Sequence, residues 1–358
     1  MISGAGKDRE ADGSIVSDYD YELPTELIAQ YPAEQRDSSR LLTLGSDGSV
    51  GHGRFPDVIG LFAEGDLLVA NESRVFPARL LGRKPTGAAA EVFLISQTGD
   101  DSYVWEALVR PGAKLKPGRN VTIADDLTVE ILATTPSGNR VVRLVTAMSA
   151  EEALERHGHI PLPPYIERSD DEVDRERYQT VYAGTPGSVA APTAGLHFTE
   201  DLLRQIQASG VAFASVTLHV GIGTFRPIEV DHPADHPMHA ESYTLSEQTA
   251  DAVNQTRDRG GRVWAVGTTS VRTLESCADA AGRVTPGSGE TRLFIRPPYD
   301  FRVVDGLITN FHLPRSTLLM LVAAHRGYEA TMGAYREAVL NGYRFYSYGD
   351  AMVLPPGR

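Results

Sequence analysis

The sequence lacks the groups on which several large classes of protein depend. It has one cysteine, Cys277, in 358 residues, which excludes structural disulfides, cysteine-rich zinc sites and three-cysteine iron–sulfur clusters. No apolar run approaches the roughly 20 residues of a membrane helix, and the N-terminal residues lack the apolar core of a signal peptide. We therefore expect a cytoplasmic protein with no membrane segment.

Positive charge is scarce and unevenly distributed. The formal net charge of −13 argues against a protein that coats nucleic acid non-specifically, because phosphate binding normally requires a basic surface. Between residues 79 and 119, however, Lys and Arg outnumber Asp and Glu by seven to four, whereas residues 151–177 hold nine carboxylates and four arginines. The basic stretch is either a surface for RNA or an ordinary solvated face.

Two patterns divide the chain. From residue 65 to 149, short β-rich runs, beginning with Leu67–Ala70, alternate with Gly, Pro, Asp and Asn turns, a spacing typical of a small barrel. Beyond residue 150 helices and strands alternate. The sequence predicts a mixed α/β (α+β) main domain, residues 18–64 and 150–358, with an inserted small all-β barrel domain at 65–149 and a disordered tail at 1–17.

Local signals set several element boundaries in the main domain. Thr199, Ser246 and Ser316 each stand before a helical pattern and predict N-caps. Strands are predicted over 292–296, 301–304 and 307–311, the last two joined by Asp305-Gly306 as a hairpin.

Three segments have the composition of ligand loops. The small-residue loop 189–199 leads into a helix start and contains Thr193 and His197, a place where backbone N–H groups receive an anion. The strand 211–220 places His219 on its more polar face and leads into a glycine turn that includes Gly221, Gly223 and Thr224. An ordinary capped loop and a tight structural turn are the alternatives.

The third segment is a strand, a turn and a helix start. Thr268, Thr269 and Ser270 supply hydroxyls, and Arg272 follows one turn inside the helix, a suitable place for a carboxylate. Plain N-capping explains the hydroxyls equally well. His232, His236 and His239 have a spacing that suggests a metal site, but Pro233 and Pro237 break the helix that would align them, so no metal is predicted.

Together these segments resemble the S-adenosylmethionine:tRNA ribosyltransferase-isomerase family, which makes epoxyqueuosine in bacterial tRNA. The similarity runs from Tyr19 to about Leu354. Its ordered blocks include Tyr21–Pro24, Pro77–Leu80, Trp105–Gly112, Arg177–Tyr182, Ala190–Thr199, Val216–Gly221, His236–His239, Gly267–Ser276, Val303–Met320 and Tyr348–Met352. Departures are Glu72-Ser73 in place of Asp-Thr, and Pro298 in place of Gly.

The resemblance implies a reaction and its participants. The ribosyl part of S-adenosylmethionine moves onto 7-aminomethyl-7-deazaguanine at the tRNA wobble position, with release of adenine and methionine. The sulfonium acidifies the C5′ hydrogens, so we expect no metal or redox cofactor; a monomer is expected. The alternatives are a non-catalytic tRNA-binding protein and a methyltransferase, the latter disfavoured because no Gly-rich first-strand loop is present.

The resemblance also suggests roles for individual residues. We expect His219 to be the general base, with Asp350 as the alternative and His197 as a further catalytic residue. The expected substrate contacts are Arg110, Thr193, Gly221, Gly223, Thr224, His239, Thr268, Thr269, Ser270, Arg272, Asn310 and His312.

Overall fold

The computed structural model describes residues 11–221 and 228–357. The described chain forms two compact units. The sheet unit consists of residues 11–71, 193–216 and 228–357, and the barrel unit of residues 72–192 and 217–221.

Strands and helices are numbered here in chain order. The strands are β1 (Arg40–Leu44), β2 (Val50–Arg54), β3 (Leu67–Asn71), β4 (Ser73–Val75), β5 (Arg79–Arg83), β6 (Ala89–Gln97), β7 (Val104–Arg110), β8 (Asn120–Ala124), β9 (Leu127–Thr134), β10 (Arg140–Val145), β11 (Thr185–Ser188), β12 (Ala212–Leu218), β13 (Glu241–Leu245), β14 (Val263–Val266), β15 (Gly287–Thr291), β16 (Gly306–Asn310) and β17 (Ala351–Leu354). The helices are α1 (Ala150–His157), α2 (Glu172–Arg177), α3 (Glu200–Ala208), α4 (Glu247–Asp258), α5 (Gly267–Cys277), α6 (Thr317–Arg326) and α7 (Tyr328–Leu340).

A nine-stranded mixed sheet has the order β15-β13-β12-β3-β14-β16-β17-β1-β2. Its centre is parallel: β3 pairs with β12 on one side and β14 on the other, and β14 pairs with β16. Every residue of β3, β14 and β16 is buried. Continuous apolar runs are typical of parallel strands that are covered on both faces.

The barrel unit contains a closed barrel of antiparallel strands in the order β10-β7-β6-β5-β8-β9. Alternate residues point inward and form a buried apolar core that includes Leu80, Val92, Leu94, Val129 and Ile131. The mixed α/β fold with a small all-β barrel is thus confirmed. No helix of the described residues is long and apolar enough to cross a membrane.

Some sequence-based assignments need correction. Leu67–Ala70 was predicted as part of the inserted all-β barrel domain. It lies instead in β3 of the large sheet, because its buried apolar residues pair with parallel neighbours on both sides. The disordered tail predicted for residues 1–17 extends too far along the chain, because Val16 is buried and begins a 3-10 helix. Residues 1–10 lie outside the described part.

The strands expected at 292–296 and 301–304 are wrong, because these residues are described and form no strand. The hairpin expected between 301–304 and 307–311 is therefore also wrong. The carboxylate of buried Glu275 explains the second case. It accepts hydrogen bonds from the backbone N–H groups of Arg302, Val303 and Val304, so donors that a strand would use for pairing are satisfied by a side chain. The third predicted strand is confirmed as β16.

The predicted helix starts are confirmed. The hydroxyls of Thr199, Ser246 and Ser316 accept hydrogen bonds from the backbone N–H groups three residues on. These caps satisfy donors that the first helical turn leaves free. They therefore fix where α3, α4 and α6 begin.

Candidate functional site

Buried polar residues collect at the edge of the sheet unit where its parallel strands end. The strand β3 ends at Asn71, α5 begins directly after β14, and β16 ends at Asn310. The registers pair Ala70 with Val266 and Val266 with Ile308, so these ends lie side by side. Ligands of open α/β sheets bind outside the carboxyl ends of the strands.

The same edge receives residues from two further strands. Ala351 pairs with Asn310 of antiparallel β16 and with Leu41 of parallel β1. The residues just before β17 and β1 therefore also lie at this edge, namely Asp350 and Ser39. Both are buried.

His197 connects two of these residues. Its Nδ1 lies 2.8 Å from Oγ of Ser39 and its Nε2 lies 3.1 Å from Nδ2 of Asn310, and its ring packs on Phe55 with centroids 5.0 Å apart. Burial lowers the pKa of His197 to about 4, a shift that the carboxylate of Asp350 partly opposes. The imidazole is therefore neutral near pH 7, and both of its ring nitrogens are engaged.

The amide of Asn310 is held in one orientation. Its Nδ2 also donates to the backbone carbonyl of Tyr346 at 3.1 Å, and Tyr346 itself has a φ of 71°, a left-handed conformation that is uncommon for a bulky residue. With both amide hydrogens committed, Oδ1 of Asn310 is left buried, with no hydrogen-bond partner among the described residues. Such an acceptor is costly unless a ligand or water satisfies it.

Asp350 is fully engaged within the fold. It accepts hydrogen bonds from the backbone N–H groups of Arg40 and Arg344 at 2.9 and 2.8 Å. Its second oxygen also contacts the Arg40 guanidinium at 3.1 Å, and that group lies over the ring of Tyr343. These contacts favour a role in holding the chain segments together over a role as a base.

The start of α5 brings the three predicted hydroxyls to the sheet edge. Gly267 has a φ of 82°, which favours glycine, and Thr268, Thr269 and Ser270 are buried. The Ser270 hydroxyl donates to the carbonyl of Val266, whereas that of Thr269 accepts a 3.3 Å hydrogen bond from the Asn71 amide. The helix start and the end of β3 are therefore joined directly.

The side chains of Arg272 and His312 make contacts within the protein. The Arg272 guanidinium forms a buried ion pair with Glu241 and donates to the carbonyls of Leu293 and Thr291. Nε2 of His312 lies 2.8 Å from Oγ1 of Thr309, and burial lowers the pKa of His312 to about 3. Both side chains are committed to the protein.

The other predicted contacts are more dispersed. Thr193 is half-buried at the start of a 3-10 helix, His239 is exposed, and Arg110 is exposed at the end of β7. Gly223 and Thr224 lie outside the described residues. Within the described ranges no group of three or more His, Cys, Asp or Glu residues is placed to hold a metal ion.

His219 belongs to the barrel unit and has different surroundings. It follows β12, and burial lowers the pKa of its half-buried imidazole. Its buried Nδ1 has no hydrogen-bond partner in the described part of the chain. A Cβ added to Gly187, whose φ is 127°, would lie 2.9 Å from Cε1 of this ring, so glycine makes room for it.

Ser188 joins its own segment to the backbone that follows His219. Its hydroxyl donates to the carbonyl of Ala190 at 2.7 Å and accepts from the N–H of Val220 at 3.0 Å. Gly221, half-buried, comes next. His219 thus combines a lowered pKa, a ring nitrogen without a hydrogen-bond partner among the described residues, and a backbone held by Ser188.

Sequence reasoning missed Ser39, Asn71 and Tyr346. Asn71 did carry a signal, because it is a polar residue that closes an otherwise apolar buried strand. Ser39 and Tyr346 carry none, since each acts through a residue that is distant in the sequence: Ser39 through His197, 158 positions away, and Tyr346 through Asn310, 36 positions away.

Comparison with known proteins gives a consistent result. The family model described as "Queuosine biosynthesis protein" matches residues 16–354. The chain is 49% identical over 341 residues to the S-adenosylmethionine:tRNA ribosyltransferase-isomerase of Pelobacter propionicus, covering 95% of this chain and 99% of that protein. It is 52% identical over 342 residues, with the same coverage, to the protein of that name from Symbiobacterium thermophilum.

A solved structure is also similar. It is a crystal structure of S-adenosylmethionine tRNA ribosyltransferase from Thermotoga maritima, with a TM-score of 0.54 and 39% sequence identity. The alignment covers 94% of this chain and 99% of the other. Both chains are thus alike over nearly their whole lengths.

Proposed function

This chain belongs to the queuosine biosynthesis protein family, and from that membership we propose that it acts as an S-adenosylmethionine:tRNA ribosyltransferase-isomerase. The observation that carries this proposal is about 50% identity over almost the full length of relatives with that name. The family resemblance noted in the sequence is thereby confirmed.

The reaction joins the ribosyl part of S-adenosylmethionine to the aminomethyl nitrogen of 7-aminomethyl-7-deazaguanine at the wobble position of tRNA. A base removes a C5′ proton that the sulfonium acidifies, adenine leaves, the nitrogen attacks the ribosyl carbon skeleton, and an epoxide closes as methionine departs. The cationic sulfur supplies the activation, so the proposed chemistry uses no metal or redox cofactor. The protein must supply a base and position both substrates.

His219 is the proposed base. A base needs a lone pair that is available near pH 7, and burial holds the pKa of His219 below its usual value. The two other catalytic candidates are engaged: His197 on both ring nitrogens and Asp350 on both carboxylate oxygens. His219 retains an unengaged ring nitrogen among the described residues.

Asn310 is the proposed contact for a nucleobase amino group. Its oriented Oδ1 accepts a hydrogen bond, and a base with an exocyclic amine offers the matching donor. His197 then acts as a positioning residue that keeps the amide in this orientation. Thr268 and Thr269, at the N-terminus of α5, are the proposed contacts for a carboxylate. The remaining substrate contacts stay predictions, namely Arg110, Thr193, Gly221, Gly223, Thr224, Ser270, His239, His312 and Arg272.

We also propose that the protein works as a cytoplasmic monomer. Light scattering of the purified protein tests the oligomeric state, and a dimer mass would contradict it.

The function is tested by incubating purified protein with S-adenosylmethionine and tRNA that carries 7-aminomethyl-7-deazaguanine. We expect stoichiometric adenine and methionine together with epoxyqueuosine in the tRNA, measured by liquid chromatography and mass spectrometry. The same tRNA with unmodified guanine is the control. Methyl transfer, or tRNA binding without adenine release, would establish one of the alternative functions.

A further inference from the structure

The two ends of the barrel carry opposite charge. Its strands alternate in direction, so the loops 84–88, 111–119 and 135–139 lie at one end and the loops 98–103, 125–126 and 146–149 at the other. The first set, here called the basic end, contains Lys84, Lys114, Lys116 and Arg119 and no carboxylate. The second set, the acidic end, contains Asp100, Asp101, Asp125 and Asp126 and no Lys or Arg.

Two arginines at strand ends add to the basic end. Arg83 closes β5 opposite Ala89, and Arg110 closes β7 opposite Glu91. Arg83, Arg110, Lys114, Lys116 and Arg119 are all exposed. These cations are spread over residues 83 to 119 in the sequence. The closed barrel brings them to one end.

The charges at the two ends are used differently. At the acidic end, Asp101 pairs with Arg143 at 3.0 Å, and Asp126 pairs with Arg156 at 3.3 Å and with His157 at 2.8 Å. None of the five exposed cations of the basic end forms an ion pair with a described carboxylate. Two of the four aspartates of the acidic end, Asp101 and Asp126, are therefore paired within the fold, whereas these five cations are available to an outside anion.

The loop 111–119, which carries Lys114, Lys116 and Arg119, is held by hydrogen bonds. Arg140 donates from Nε to the carbonyl of Leu115 at 2.8 Å and from Nη2 to that of Gly112 at 2.9 Å. Gly118 and Arg119 exchange backbone hydrogen bonds with Ile131. Cations on a loop that is already fixed lose less conformational entropy when they bind.

We propose that the basic end of the barrel binds the phosphate backbone of the tRNA substrate. The assignment rests on the proposed function, which supplies the tRNA. Three exposed cations on the loop 111–119 and two at strand ends of the same end of the barrel match a polyanion with repeated phosphates, since each neutralised phosphate releases condensed counterions. In a chain of net charge −13, this local concentration of positive charge attracts the RNA to one end of the barrel.

The test is charge reversal of the pair Lys114→Glu and Lys116→Glu. Affinity for the modified tRNA is measured by fluorescence anisotropy over a range of KCl concentrations. We expect tRNA affinity at about 0.15 M salt to fall about 10-fold or more, and the slope of log affinity against log salt to become about 2 units shallower. Thermal unfolding checks that the variant is folded, and Lys114→Ala with Lys116→Ala gives a milder second variant.

Arg259→Glu with Arg336→Glu is the matched control, because both arginines are exposed in the sheet unit, Arg259 just after α4 and Arg336 within α7, and the change in net charge is the same. Affinity and slope equal to those of the control would overturn the proposal, as would weaker binding with an unchanged slope. Failure of the proposed function is distinguishable, since unaltered protein would then bind tRNA with the expected slope and release no adenine.

Discussion

Nε2 of His197 accepts a hydrogen bond from Nδ2 of Asn310 at 3.1 Å. An imidazole can accept only while that nitrogen is unprotonated, so the contact requires a neutral His197 whose proton is on Nδ1, toward Ser39. The protonation state of one buried residue is thus tied to the orientation of the amide beside it. Predictions on stability and on activity follow from this contact.

The first prediction concerns acid stability. Burial lowers the pKa of His197 to about 4 from 6.5, so between these values the unfolded chain binds a proton that the folded chain does not. Titration of His197 therefore leaves the free energy of unfolding unchanged above about pH 6.5. As pH falls toward 4, it lowers the free energy of unfolding by about 3 kcal/mol. Urea unfolding at several pH values measures the loss.

His197→Gln removes the titrating ring and should make stability less dependent on pH in this range. His239→Gln, at an exposed position, is the control and should leave the dependence unchanged. Equal pH dependence in wild type and His197→Gln would mean that other buried groups, such as His312, account for it.

The second prediction concerns Asn310. Asn310→Asp keeps an oxygen acceptor but removes both amide donors, and it sets a carboxylate against the lone pair of His197 Nε2. Because losing a buried hydrogen bond costs about 1–3 kcal/mol, we expect kcat/KM for adenine release to fall roughly 5- to 150-fold. The pH below which activity declines should also rise, since a carboxylate favours protonated His197.

Asn341→Asp is the corresponding control, at an exposed position just after α7. A purely structural Asn310 would give lower stability with an unchanged pH profile for the remaining activity. That result would remove Asn310 from the substrate contacts.

The third prediction concerns His219. His219→Ala should lower the rate of adenine release by about 10²- to 10⁴-fold, the range for loss of a general base, while calorimetry still detects S-adenosylmethionine binding. In wild type the rate should decline on the acid side, below the lowered pKa of His219. His232→Ala, at an exposed histidine, serves as the control, and near-normal turnover by His219→Ala would refute the assignment.

The fourth prediction concerns Gly187, which lies against the His219 ring. Gly187→Ala would bring a Cβ to 2.9 Å from Cε1 of His219 and place alanine at a φ of 127°, so the ring must move. We expect kcat to fall by about 10-fold or more, since small misplacement of a catalytic group is costly. Gly99→Ala is a matched control, because Gly99 also has a positive φ but an added Cβ there meets nothing within 4 Å.

Local features of this fold are visible in the sequence and distant ones are not. Thr199, Ser246 and Ser316 cap helices through the residue three positions on, and such short-range chemistry is legible without a structure. Glu275 acts on backbone groups 27 to 29 residues away. No periodic pattern reports that contact, so the segment around Val303 was misassigned as a strand.

The candidate site divides in the same way. Motifs identified His197, Thr268 and Asn310, but their meeting at one sheet edge depends on strand order. Whether a charged side chain is free also depends on distant partners: Arg272 forms a buried ion pair with Glu241, 31 positions away in the sequence. Residue types were therefore predictable, whereas their engagement with the rest of the protein was not.

The last prediction separates two roles for Arg272. Its side chain and that of Glu241 are 7% and 5% exposed, and removing one member of a buried ion pair costs about 3–5 kcal/mol. Arg272→Met should therefore destabilise the protein strongly, and Arg272→Met with Glu241→Leu should restore much of the free energy of unfolding. If the pair is only structural, the double variant also regains S-adenosylmethionine affinity. If Arg272 binds the methionine carboxylate instead, the stability of the double variant returns while its S-adenosylmethionine affinity stays low, because no cation remains to bind the ligand. Urea unfolding and calorimetry on wild type, the single variant and the double variant distinguish these outcomes.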